Sequence, residues 1–125
     1  MNNMLLIFVG GGIGALLRYW GSGLVYRLTS LGFPYGTAVV NITGCFLIGL
    51  VMSGLAAKFD DAPGLKLFLT VGLLGGFTTF SSFSYETIAL IQEAKVAAAM
   101  TNVGVSLVGC LVGTWVGLGI GRVLA

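Results

Sequence analysis

Uncharged apolar residues fill four stretches of the chain. Met4 to Leu17 carries no charge, and the same segment continues to Tyr26 with Arg18 as its one interruption. Phe33 to Ala57, Leu67 to Tyr85 and Val96 to Gly121 are uncharged throughout. A hydrocarbon core of roughly 30 Å takes about 20 helical residues per crossing. The pattern predicts four transmembrane helices, at about 4–26, 35–57, 65–91 and 97–123, in a single membrane domain spanning 1–125. A membrane barrel would instead alternate over shorter segments, and no such alternation is present. The expected class is an all-α integral membrane protein.

The connections are short: "RLTSLG" from Arg27, "KFDDAPG" from Lys58, and a turn near Lys95. Short connections predict that successive helices are antiparallel neighbours. Pro34 fits the start of the second helix. Gly109, Gly113, Gly117 and Gly121 are four apart and form one flat stripe, the clearest close-packing face in the chain. Gly44, Gly49 and Gly54 recur every five residues and do not share one face. "GGGIG" at Gly10 to Gly14 reads as close helix approach, since a nucleotide loop would need a preceding strand.

Composition supports the membrane reading. Of 125 residues, 57% are hydrophobic and 8% charged, against roughly a quarter charged in soluble domains. There is no histidine, so imidazole proton and metal chemistry is absent. Cys45 and Cys110 fall inside spans and read as small buried hydrophobes; two cysteines make neither a disulfide framework nor a metal site. The first segment lacks the basic leader and small-residue cleavage site of a signal peptide. Nothing points to nucleic acid.

Loop charge barely distinguishes the two sides. Lys58, Lys66 and Arg122, with Asp60 and Asp61, share one side; Arg27 and Lys95, with Glu93, share the other. That small excess sets one orientation under the positive-inside rule, or it permits insertion both ways.

Several polar groups lie within the spans. Arg18 must snorkel, line water or meet a partner. Asn41 either glues helices or lines a pore as an amide donor. Glu86 is either paired structurally or a proton site. "GGFTTFSSFSYE", from Gly75 to Glu86, is the densest of these features. Phe77, Phe80 and Phe83 form a drifting stripe, flanked by rows containing Thr78, Ser81 and Ser84, and Thr79, Ser82 and Tyr85. Single hydroxyls bond to carbonyls one turn back. Five hydroxyls in Thr78 to Ser84, straight after Gly75 and Gly76, mark a place where a membrane helix can break. A break frees carbonyls able to bind a cation if protein buries them. The ring edges are electropositive and suit an anion, although core packing also accounts for the stripe.

These segments carry a family likeness. "GGGIGALLRY", "GTAVVNITGCFLIG" and "GGFTTFSSFSYET" resemble the Fluc (CrcB-like) family of fluoride channels across essentially the whole chain. The third resembles the family's "GGxTTFSTFSxE", with Ser82 where Thr is common. The resemblance implies a passive channel that exports cytoplasmic fluoride from a microbial cell across its inner membrane. It implies an antiparallel, dual-topology homodimer with two pores, a broken third helix, and a structural central Na+. The Na+ would be held by main-chain carbonyls of Gly75 and Thr78. Asn41, Phe80, Phe83, Ser81, Ser84 and Thr114 would line the anion path, with Thr37 on the same track and Arg18 at the aqueous mouth. Glu86 matches the motif without an assigned role. Lipid and fluoride would be the other partners, and no enzymatic chemistry is implied.

Two other classes fit parts of the pattern. A small four-helix exporter of organic cations would want a carboxylate in the first span, which has none. A non-transporting membrane subunit would explain the glycine stripe but leave Arg18, Asn41 and the hydroxyl rows without use.

Overall fold

The structure, a computed structural model, describes residues 2–30 and 32–125. Leu31, in the first connection, and Met1 lie outside the described residues. Helix α1 (Asn3–Leu28) starts where the Asn2 side chain accepts the Met4 N–H at 2.9 Å, a side-chain cap for an orphan donor. Helix α2 (Tyr35–Gly54) begins directly after Pro34. Two short helices follow, α3 (Ala56–Asp61) and α4 (Pro63–Leu67), the latter with its proline in the first turn. From α4 the chain passes through wide π-type turns (Phe68–Leu74) into α5 (Gly75–Phe77), then α6 (Phe80–Gln92) and α7 (Val96–Leu124).

Four helical segments are long and apolar enough to cross a membrane: Asn3–Leu28, Tyr35–Gly54, Pro63–Gln92 and Val96–Leu124. The all-α, four-span architecture expected from the apolar runs is therefore present. So is the expected break, because the third span is interrupted at Thr78 and Thr79, which are both extended.

Successive spans do touch, α1 with α2 and α6 with α7, but the closest packing lies elsewhere. It joins α2 to α7, and α1 to the π segment and α5. The physical reason is glycine. A Cβ on Gly117 would strike Phe46 O and approach Leu50 N to 2.9 Å; one on Gly121 would strike Ser53 Oγ; one on Gly109 would come within 2.6 Å of Ile42 Cδ1. The predicted stripe is thus the seam with α2, and its contacts advance in step along both helices, so the two run in the same direction. In the same way, a Cβ on Gly10 would lie 2.8 Å from Phe68 O, and one on Gly14 would strike Leu73 O. Gly10 and Gly14 are the buried residues of α1; its other faces present large apolar side chains such as Met4, Phe8 and Trp20 outward, as a lipid-facing helix does.

The turn between α6 and α7 has a residue in the left-handed region. Ala94 has φ 59°. Lys95 N–H bonds to Leu90 O at 2.8 Å and Ala94 N–H to Ile91 O at 3.0 Å, the paired bonds of a Schellman helix end.

Candidate functional site

The site is built around the interruption of the third span. Thr78 has φ −86° and ψ 155°, and Thr79 has φ −149° and ψ 115°. In an unbroken helix, the Thr79 N–H would bond to Gly75 O and the Ser82 N–H to Thr78 O. Both donors are redirected. Thr79 N–H donates to Asn41 Oδ1 at 2.7 Å, and Ser82 N–H to the hydroxyl oxygen of Thr79 at 3.2 Å, which caps α6. Gly75 O and Thr78 O thereby leave the helical ladder. The Phe80 N–H would likewise serve Gly76 O, and that carbonyl instead accepts from Arg18 Nε at 3.1 Å. A cationic side chain thus sits at the negative end of α5.

Asn41 closes the arrangement from α2. Besides accepting from Thr79 N–H, its Nδ2 donates to Thr79 O at 2.8 Å. One carboxamide satisfies both backbone polar groups of Thr79, in a span where unsatisfied backbone is costly. Gly44, almost one turn further along α2, leaves room for the Thr78 methyl and the Phe77 ring; a Cβ there would strike Thr78 Cγ2.

Beside the break lies a groove of about 240 Å³ lined by Asn41, Cys45, Thr78, Thr79, Phe80, Phe83, Ser106, Leu107 and Cys110. The rings of Phe80 and Phe83 stand 5.4 Å apart at 52°. Phe83 is buried, whereas Phe80 is 74% exposed. The Thr79 hydroxyl lies 3.2 Å from Ser81 Oγ and 3.1 Å from Ser82 Oγ, so the hydroxyls at the start of α6 form one cluster. Of the expected pore residues, the structure brings Asn41, Phe80 and Phe83 into one groove and places Ser81 against its Thr79 wall. Ser84 is exposed further along α6. Thr114, half-buried, lies one turn beyond Cys110 on α7 with its carbonyl facing Gly49.

Thr37 and Glu86 meet away from this groove. The Thr37 hydroxyl donates to Glu86 Oε1 at 2.7 Å, joining α2 to α6. Glu86 Oε2 is buried with no hydrogen-bond partner among the described residues. Glu86 also lines a second groove, of about 300 Å³, with Tyr26, Tyr85, Glu93 and Lys95 among its walls. Lys95 and Glu93 pair at 3.0 Å on the exposed rim.

A buried chain of polar side chains, not among the residues singled out from sequence, joins α6 and α7. Asn102, 1% exposed, donates from Nδ2 to the Thr87 hydroxyl at 2.9 Å; Thr87 donates to Phe83 O at 2.8 Å. Ser106 Oγ donates to Asn102 Oδ1 at 3.3 Å. The signal was present: Asn102, Ser106, Cys110 and Thr114 are four apart, as are Thr37, Asn41 and Cys45. These are two polar stripes at helical spacing on two helices that pack together. Cys45 and Cys110 belong to them, and line the groove instead of an apolar core.

The CrcB-like protein, Camphor Resistance (CrcB) family model matches residues 5–118. A fluoride-specific ion channel FluC of Geobacter sp. (strain M21) is 45% identical over 124 residues, covering 99% of this chain and 100% of the relative. Its counterpart in Geobacter sulfurreducens is 47% identical over 118 residues, 94% of this chain and 95% of the relative. The FluC of Shewanella halifaxensis is 44% identical over 117 residues, 94% of each.

Proposed function

The chain belongs to the CrcB-like family of fluoride channels, passive transporters of the bacterial inner membrane and not enzymes, and from that premise we propose that it exports fluoride through two pores of an antiparallel homodimer built around a central Na+. The break at Thr78 and Thr79 carries this reading. It opens the backbone beside a groove that already gathers Asn41, two phenylalanine rings and a hydroxyl cluster. A subunit serving only as a scaffold would gain nothing from breaking a spanning helix.

Fluoride holds its water tightly, so passage requires donors that replace it stepwise. The second Asn41 amide hydrogen, the hydroxyls of Ser81 and Ser84, and the electropositive edges of Phe80 and Phe83 are such donors. Thr37 and Thr114 extend the same polar stripes along α2 and α7. Arg18 contributes a positive charge that draws anions inward while its Nε secures Gly76 O. Each contact is individually weak, and several weak sites allow exit as well as entry. Glu86, held by Thr37, lies at the far end of the stripe on α2.

The residues at the break fit a monovalent cation. Gly75 O and Thr78 O are neutral donors relieved of helical partners, and two copies would supply four of them; a carboxylate cage would favour a divalent ion instead. Bound there, Na+ would supply a fixed positive charge where Coulomb interactions exceed their strength in water. The near-balanced loop charges support two-way insertion, and the broad apolar faces of α1 and α7 suit lipid and a second copy.

Liposomes loaded with fluoride and reconstituted with the purified protein test the reading. Fluoride should leave without ATP and without a proton gradient, and no flux from well-folded dimer would contradict it. An N-terminal tag should be reached equally from both faces of the membrane; access from one face only would rule out the antiparallel assembly.

A further inference from the structure

Cys45 and Cys110 are the chain's two cysteines, and both are free thiols. Taken from sequence they read as packing residues; the structure gives them another setting. They come from different helices and line the same groove of about 240 Å³. Their helices pack closely at this level. A Cβ on Gly109 would come within 2.6 Å of Ile42 Cδ1, and one on Gly113 within 3.2 Å of Ile42 O. The two sulfurs are therefore carried on a packed seam and not on mobile loops.

The other groove walls are an amide, hydroxyls, a leucine and two phenylalanines, with no carboxylate. Such a setting suits neither Zn2+, which takes four ligands in structural sites, nor Ca2+ and Mg2+, which take oxygen cages. Paired thiolates select soft ions. We infer that Cys45 and Cys110 form a two-coordinate site for a soft d10 cation, such as Hg(II), Ag(I) or Cu(I), and that filling it obstructs the groove. The thiolate is the binding form, so each thiol releases its proton as its sulfur bonds to the metal. With Hg2+, two S–H bonds give way to two S–Hg bonds, two protons leave, and no electrons are transferred. The product is a neutral bis-thiolate that bridges α2 and α7 beside Asn41 and Phe83.

The binding part stands on the groove alone; the obstruction part rests on the proposed fluoride path. The purified full-length protein is first titrated with Hg2+ in detergent. One Hg2+ per chain is expected, with the near-ultraviolet charge-transfer absorption of a mercury–thiolate bond. A monothiol competitor should strip at least ten times more metal from Cys45→Ser or Cys110→Ser than from the unaltered chain. Two Hg2+ per chain, or equal retention by the single variants, would overturn the bridging site. In fluoride-loaded liposomes, the same Hg2+ dose should slow efflux at least ten-fold relative to the metal-free rate. The double variant, Cys45→Ser with Cys110→Ser, should keep its own metal-free rate when Hg2+ is added. Full occupancy with unchanged efflux would overturn the obstruction. If the metal-free protein passes no fluoride at all, the channel reading fails, and the detergent titration still decides the site.

Discussion

Asn41 grips Thr79 at both ends of its backbone, accepting from its N–H at 2.7 Å and donating to its carbonyl at 2.8 Å. The two residues are 38 positions apart, on different spans. Asn41→Leu removes both bonds and leaves two backbone groups without partners. The loss should be about 2–6 kcal/mol, since each of the two unsatisfied groups costs roughly 1–3 kcal/mol. Thermal unfolding in detergent should show the drop, and fluoride efflux should fall with it. An unchanged melting temperature would mean that the clasp does not hold the break.

Gly44 is the second support of the break. A Cβ there would run into the methyl group of Thr78. Gly44→Ala should therefore reduce fluoride efflux by displacing Thr78. Adding Thr78→Ser removes the offending methyl while keeping the main-chain carbonyl and the hydroxyl, and should recover part of the loss. Recovery will be incomplete, because the Phe77 ring would still lie 3.2 Å from the new Cβ. Efflux from the double variant no better than from Gly44→Ala would argue against the contact.

The seam between α2 and α7 separates two glycines that composition treats alike. A Cβ on Gly117 would strike Phe46 O, while one on Gly119 would meet nothing within 4 Å. Gly117→Ala must push the helices apart and should yield aggregated or poorly folded protein by size-exclusion chromatography. Gly119→Ala should elute like the parent chain. Equal tolerance of the two substitutions would contradict the packing.

Ala94 sits at φ 59°, where a side chain costs roughly 1–2 kcal/mol relative to glycine. Ala94→Gly relieves that strain, although the unfolded chain gains freedom in return. A net gain of up to about 1 kcal/mol is expected as a higher melting temperature. A lower one would mean that the turn does not adopt its Schellman geometry.

Much of this was legible in the chain. The apolar runs are long because lipid leaves no other choice, and they marked four spans. The glycines at 109 to 121 showed a packing face because four-residue spacing lies along one side of a helix. Gly75 and Gly76, followed by competing hydroxyls, marked the break. Partners were not legible. Periodicity tells which residues share a face, not which face meets which, so α7 could not be matched to α2. For the same reason the partner of Asn41, the Thr79 backbone, was not legible. Asn102 and Ser106 were legible only as members of a four-residue stripe with Cys110 and Thr114, because each alone in an apolar helix carries little signal. The π-type turns at Phe68–Leu74, which contain the close approach of Gly72 to Gly10, have no counterpart in the hydrophobic pattern.

The central claim is passive, selective fluoride conduction, and the reversal potential in a planar bilayer tests it most directly. With unequal fluoride across the membrane and Na+ present on both sides, the current should reverse at the fluoride equilibrium potential. It should stay there when chloride or pH is changed on one side. A reversal potential that follows chloride or protons, or no current from folded dimer, would contradict the account.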